Sequence, residues 1–169
     1  MPLARSIGSR ARSGALAAAL LAALVAPGDS AQPRKSGVSR ERINPARLAT
    51  PTGYTQVLSV RGGKLVFVSG QVATDEKGNL VGKGDLKAQT TRVFENVRTA
   101  LLGAGAGLAD IVKMTTFVVG YRAEMLPTLR GVRSAFLGDI AVPASTLVGV
   151  SALARPEYLI EIEVIAVVE

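Results

Sequence analysis

From residue 53 to the C-terminus, apolar positions recur with the period of strands in some stretches and of helices in others. Asp85 can cap a helix that ends before Gly103, and a second helix is predicted from about Ala123 to Leu137, with Gly138 as its stop. Strands are predicted at residues 57–61, 64–72, 111–119, 146–150 and 158–168. The order ββαβαββ favours the α+β class, with one mixed sheet and both helices on one of its faces.

The spacing of apolar residues also predicts which side chains face the core. Gly62 and Gly63 separate the first two strands and allow positive φ, so these strands are expected to form a hairpin. The positions expected to face inward are Leu86, Thr90, Val93, Val97 and Leu101 on the first helix and Met125, Leu129, Val132 and Phe136 on the second.

The last strand carries two carboxylates in an otherwise apolar run, LIEIEVIAVV at residues 159–168. Glu161 and Glu163 are two positions apart and therefore share a face. If Ile162 and the residues at alternate positions from it pack against the helices, the two glutamates face away from the helices. Ile165 and Val167 then lie on the same face as the glutamates. One interpretation is a solvated face; the two apolar residues favour burial against other subunits.

The N-terminal region differs from the rest. Three arginines precede an apolar run from Gly14 to Ala26, followed by small residues up to Ala31. This pattern is typical of a secretory signal peptide over residues 1–31, and the run is too short for a stable membrane anchor. The expected location is the periplasm or the exterior; the alternative is a cytoplasmic protein whose leader is not a signal. Residues 32–52 are predicted to be a flexible lead-in, and 53–169 the folded domain.

Composition limits the chemistry. The chain has no histidine and no cysteine, which excludes Ser-His triads, disulfides and thiolate metal sites. No metal or cofactor is therefore predicted. The net charge is +7, but the residues from Leu48 onward hold 12 basic and 11 acidic side chains. A nearly neutral folded part argues against nucleic-acid binding.

Several stretches together resemble the Rid family (RidA/YjgF), also known as endoribonuclease L-PSP or enamine/imine deaminase. They are GYTQ at 53–56, KLVFVSGQV at 64–72, GLADIVKMTTFVV at 107–119, VPASTLVGV at 142–150 and YLIEIEVIAVV at 158–168. The resemblance implies a chorismate-mutase-like fold. It also implies a homotrimer with small-molecule pockets between subunits, in which imines are hydrolysed to ammonia and a 2-keto acid.

The resemblance also implies roles for individual residues. Glu161 corresponds to the glutamate that helps to place the attacking water, and Tyr54 to a tyrosine near the pocket. The backbone of Ser69, Gly70 and Gln71 corresponds to the turn that shapes the pocket. Glu163 is expected to be structural or paired across the trimer.

One expected residue is missing. The family motif PARS contains an arginine that binds the substrate carboxylate, whereas this chain has Ser145 at that position, followed by Thr146. Serine offers one neutral hydrogen bond, whereas the guanidinium of arginine offers a positive charge and two parallel N–H donors. Turnover of 2-imino acids is therefore expected to be weak. Arg130 on the second helix is a candidate substitute; the alternative is an ordinary solvated arginine.

Three functions are compatible with the sequence. The first is a Rid-type enzyme acting on a small enamine, imine or related C–N substrate. The second is a non-catalytic homotrimer that binds a small molecule or stabilises a partner. The third, a ribonuclease, is disfavoured by the absent histidine and by the neutral folded part. Glu161 and Tyr54 favour the first function, with an altered substrate.

Overall fold

The computed structural model describes residues 37–169. The predicted signal peptide, residues 1–31, lies outside the described residues, as does the start of the predicted lead-in. The strands are β1 (Ser39–Ile43), β2 (Val57–Arg61), β3 (Lys64–Val72), β4 (Ile111–Val119), β5 (Ala144–Val150) and β6 (Ile160–Val168). The helices are α1 (Leu86–Gly103) and α2 (Leu126–Leu137), and short 3-10 turns precede β4 and α2.

A four-stranded sheet with the order β3-β6-β4-β5 forms the centre of the domain. Strand β6 pairs antiparallel with both β3 and β4, whereas β4 and β5 are parallel. The core contains buried residues of α1, α2, β4 and β6, so both helices cover the same face of the sheet. The predicted α+β class, mixed sheet and arrangement of helices are confirmed.

Helix α1 begins where the sequence predicts. The Asp85 carboxylate accepts a hydrogen bond from the backbone N–H of Ala88 at 3.0 Å, which satisfies an otherwise unpaired donor of the first turn. Phe94 of α1 stacks on Phe136 of α2 with ring centroids 5.2 Å apart. The predicted inward positions Val93, Val97 and Leu101 are completely buried. In the described part of the chain, neither helix has the length and hydrophobicity needed to cross a membrane.

The boundary of the folded part is a correction. Residues 32–52 were predicted to be a flexible lead-in, but β1 lies within them and pairs antiparallel with β2. Arg40 of β1 forms an ion pair with Asp110 at 3.0 Å and donates a hydrogen bond to the carbonyl of Val167. Charged residues dominate β1, so it lacks the apolar alternation by which a strand is detected.

The predicted hairpin between β2 and β3 is wrong. Gly62 and Gly63 do adopt positive φ values of 77° and 80°, as a tight turn requires. The two strands nevertheless join different sheets, because β2 pairs with β1 and β3 pairs with β6. The outer edge of β3 is left unpaired in the described chain, and Leu65 and Phe67 on this strand are exposed.

A pair of glycine substitutions separates backbone strain from packing. Gly63→Ala should destabilise the fold by roughly 3 kcal/mol, since it combines a positive φ with overpacking. Its Cβ would lie 2.6 Å from the carbonyl oxygen of Val168 and 2.6 Å from a methyl of Val38. Gly78→Ala has a similar φ of 81° and open space, so it should cost only about 1 kcal/mol. Chemical denaturation measures both; equal costs would contradict the packing argument.

Candidate functional site

The Glu161 carboxylate lies directly against the backbone of Gly70. Ile160 and Ile162 are buried in the core at 0% and 1% exposure, so alternation along β6 directs Glu161 to the face without helices. An ideal Cβ on Gly70 would lie only 1.7 Å from Oε1 of Glu161. The carboxylate therefore occupies the space that any other residue at position 70 would fill.

The strand segment beside this carboxylate is fixed from several directions. The register of β3 against β6 shifts between Val68 and Gln71, which places Ser69 and Gly70 in an irregular stretch. The Gln71 side chain donates a hydrogen bond to the carbonyl of Ser69 at 3.0 Å. From α1, the Asn96 amide donates to the carbonyl of Val72 at 2.9 Å. These hydrogen bonds position the backbone against which Glu161 rests.

Gln89 is a positioning residue that the sequence did not reveal. Its completely buried amide donates to the carbonyl of Glu157 at 2.9 Å and accepts from the N–H of Leu159 at 2.9 Å. This contact ties α1 to the residues that precede β6. Because a glutamine on an amphipathic helix is normally exposed, its pattern gave no signal of this role.

A shallow groove of about 240 Å³ runs along the face of the sheet that carries the two glutamates. Thr146 faces this side, since its hydroxyl is hydrogen-bonded to the ammonium of Lys113. The lining residues are Phe67, Val68, Ser69, Lys113, Thr115, Glu163, Val164 and Ile165. The uncovered face predicted from β6 is therefore present, with the exposed Phe67 in it, although Val167 is buried within the described chain.

Ser145 lies on the opposite side of the sheet, beneath α2. It pairs with the buried Met114 in the register of β4 and β5, and it lines a narrow cavity of about 30 Å³. Arg130 and Arg133 line the same cavity. The remaining lining residues are Thr90, Phe94, Thr116, Leu126, Leu129, Leu147, Ile160 and Ile162.

The segment that contains Tyr54 runs alongside this cavity. Arg130 donates to the Thr52 hydroxyl at 3.2 Å, and an ideal Cβ on Gly53 would lie 2.6 Å from the Arg133 guanidinium. The backbone N–H of Thr55 donates to the carbonyl of Pro143 at 3.1 Å. Half-buried Tyr54 is thereby held next to the strand that carries Ser145.

Arg133 is a candidate site residue that the sequence did not reveal. Burial of the guanidinium, and next the positive charge of Arg130, lower the pKa of Arg133 from its usual value. The only available signal was the spacing of three residues from Arg130, which places both side chains on one helix face. Arginines are mostly exposed, so the spacing alone does not identify a site residue.

The structure divides the predicted site residues into two groups. Glu161, Ser69, Gly70 and Thr146 belong to the open side of the sheet. Gln71 pairs with the buried Ile162 and lines a surface groove with residues of α1, so its side chain lies apart from them. Ser145 and Arg130 line the cavity on the helix side, beside the Tyr54 segment. Since the sheet separates the two groups, one described chain does not bring them together around a common ligand.

Comparisons with known proteins give a consistent result. Residues 44–168 match the family model described as Endoribonuclease L-PSP. A RutC family protein of Pyrococcus abyssi is 36% identical over 76% of this chain and 98% of its own length. A 2-iminobutanoate/2-iminopropanoate deaminase of Dermatophagoides farinae is 30% identical over 78% of this chain and all of its own length. The crystal structure of the Rid protein YyfB from Yersinia pestis superposes with a TM-score of 0.73 at 37% identity, covering 76% of this chain and 98% of that chain.

Proposed function

Because the chain belongs to the Rid family, we propose that it hydrolyses a small enamine, imine or related C–N compound in pockets formed between its subunits. The observation that carries this proposal is the position of the Glu161 carboxylate against Gly70. Neither ion pair found within residues 37–169 involves Glu161, so the carboxylate is available to a water molecule. The deaminase name of one relative supports the class of reaction.

The proposed step uses only this carboxylate and water. A water oxygen attacks the imine carbon while Glu161 accepts one of the water protons. Transfer of that proton to the imine nitrogen gives a carbinolamine. Glu161 then moves the hydroxyl proton of the carbinolamine to its amino nitrogen, and the C–N bond breaks to yield a carbonyl compound and ammonia. An enamine enters the same route after tautomerising to its imine. No histidine is required.

Ser145 determines which substrates are expected to react poorly. It is on the cavity wall at the place where the family resemblance implies a carboxylate-binding arginine. Loss of a charged bidentate contact costs roughly 2–5 kcal/mol when its partner stays buried. We therefore propose that 2-imino acids are weak substrates and that the preferred substrate differs from theirs.

Introducing an arginine at this position tests the role of Ser145. Ser145→Arg should raise the turnover of 2-iminobutanoate about tenfold, because a guanidinium makes two hydrogen bonds that orient the substrate carboxylate. The gain should stay below the full value of the contact, since Arg130 and Arg133 repel a third cation in the same cavity. Keto-acid release from the generated imine can be followed by a coupled assay. Ser145→Arg combined with Glu161→Gln is the control and should lose the gain; no gain at all in the single variant would contradict this role.

The division of site residues between two sides of the sheet supports assembly into a homotrimer. A pocket at a subunit boundary could combine the Glu161 side of one chain with the Ser145 side of its neighbour. The open face also carries Phe67 at 71% exposure and Leu65 at 59%, which an interface would bury. We propose that this face packs between the three subunits.

Light scattering on the purified protein tests the assembly. We expect the mass of three chains at micromolar concentration, because contact with other subunits would bury the exposed apolar residues of β3. Phe67→Glu should lower the measured mass by placing a charge in the interface. Leu102→Glu is a matched control at another exposed apolar position, at 65% exposure on α1, and should remain trimeric. A monomeric wild-type protein would contradict the proposed site.

A non-catalytic trimer that binds a small molecule is the second candidate. Ser145 and the narrow cavity beside it favour the binding function, because both are unfavourable for the hydrolysis of a 2-imino acid. The two candidates differ in one observable. A binding protein leaves the rate of imine hydrolysis unchanged, whereas the enzyme accelerates it. For either candidate, the N-terminal leader pattern supports export as the proposed location.

A further inference from the structure

Two arginines of α2 converge on one cavity. Arg130 and Arg133 are three residues apart and therefore lie on the same face of the helix. Both line the cavity beneath α2, together with Ser145 and mainly apolar side chains. The two ion pairs within residues 37–169 join Arg40 to Asp110 and Arg92 to Glu95. Neither guanidinium in the cavity is thus neutralised by a carboxylate of the described chain.

This arrangement is unfavourable without an anion. Arg133 is half-buried, and like charges held close together in a partly apolar environment repel each other. Arg130 uses part of its donor capacity on the carbonyl and hydroxyl of Thr52, at 3.4 and 3.2 Å. These neutral acceptors do not cancel a charge. An anion between the two guanidinium groups would reduce the repulsion and supply the missing charged acceptor.

We propose that Arg133, assisted by Arg130, binds a carboxylate group of the ligand at the mouth of this cavity. The size of the space favours a carboxylate, since about 30 Å³ accommodates two or so water-sized groups. Thr90, Thr116, Ser145 and the surrounding apolar side chains form the rest of the lining. A planar carboxylate fits the two parallel N–H donors of one guanidinium.

The inference rests on the proposed function, which it makes more specific. It assigns an anionic substrate to the pocket although position 145 lacks an arginine. The anchoring charge lies on α2 and not on β5. A carboxylate bound by α2 lies in a different place from one bound at position 145 on β5. The distance between the carboxylate and the C–N group of the ligand is therefore expected to differ from that of a 2-imino acid. This difference agrees with weak turnover of 2-imino acids and with a substrate of different length.

Isothermal titration calorimetry with sodium 2-oxobutanoate tests the inference on the whole protein. Arg133→Gln should weaken binding by about 10- to 100-fold, which is the range for losing a hydrogen-bonded charge. Arg133→Lys keeps the positive charge but lacks the two parallel N–H donors, so it should recover part of the lost affinity. If Arg133→Gln fails to fold, Arg133→Lys takes its place in the comparison. Arg130→Gln should weaken binding less, because Arg130 is exposed. Arg122→Gln changes an exposed arginine outside the cavity and is the matched control.

Three results would overturn the inference. The first is binding to Arg133→Gln within twofold of wild type; the second is an absence of wild-type binding at millimolar 2-oxobutanoate. The third is tighter, Arg133-dependent binding of inorganic phosphate, which would assign the site to a phosphate group. A coupled turnover assay separates this inference from the proposed function. Arg133-dependent binding without imine hydrolysis would retain the inference and reject the enzyme, whereas hydrolysis that is insensitive to Arg133→Gln would do the reverse.

Discussion

Glu161→Gln is expected to lower imine hydrolysis by about 100- to 10,000-fold, the range that a general base contributes. The amide has the same shape as the carboxylate, so it can occupy the space beside Gly70 without disturbing β6. It cannot accept a proton from water at neutral pH. The loss should therefore be in kcat, measured as keto-acid release by coupled assay, with KM nearly unchanged.

Glu163→Gln is the matched control for this prediction. Glu163 lies two residues further along β6 on the same face, and it is exposed on the groove of the open side. Its substitution should change kcat by less than about twofold, which is roughly 0.4 kcal/mol in the activation free energy, provided that light scattering shows an intact assembly. Equal losses in the two variants would show that negative charge on this face matters and that Glu161 has no special role.

Gly70→Ala is expected to reduce turnover about 100-fold while leaving the fold almost intact. The new methyl would lie 1.7 Å from Oε1 of Glu161 and 2.6 Å from the carbon of the carboxylate, so this group must move away. Those atoms are the end of a flexible side chain, and Gly70 has no positive φ. The cost in unfolding free energy should therefore stay below about 1 kcal/mol.

Activity and stability must be measured together for this variant. Denaturation gives the free energy of unfolding, and the coupled assay gives kcat. Gly103→Ala is the control, because nothing lies within 4 Å of its Cβ position at the end of α1. An active Gly70→Ala variant would mean that the observed placement of Glu161 is not the catalytic one. A strongly destabilised variant would mean that Gly70 serves the fold.

Much of the architecture followed from periodicity. The buried face of α1 and the alternation of β6 both depend on local side-chain spacing, and both were predicted. Strand β1 was missed because charged residues compose it and its stability comes from pairing with β2 and from the ion pair of Arg40. The pairing of β2 could not be inferred, since the turn at Gly62 and Gly63 is compatible with strands that diverge.

The site was predicted less completely than the fold. Ser145 and Thr146 are adjacent in sequence, yet strand alternation places them on opposite sides of the sheet. The contact between Gly70 and Glu161 joins strands far apart in sequence at an irregular register, which local patterns do not encode. Arg133 gave no signal because an arginine on a helix is normally solvated.

A site shared between subunits makes a prediction that a site within one chain does not. Glu161→Gln inactivates one side of the proposed pocket. Ser145→Glu should inactivate the other, because a carboxylate at this position fills the cavity of about 30 Å³ and occupies Arg133. In mixed trimers, a pocket that takes its Glu161 side from one variant and its Ser145 side from the other is intact.

The decisive measurement is therefore the imine hydrolysis of trimers assembled from equal amounts of these two variants. Each variant alone should be inactive. Random assembly should restore about a quarter of the wild-type rate, because one pocket in four receives both intact sides. A mixture no more active than its components, or full activity of Ser145→Glu by itself, would contradict a catalytic site built from two subunits.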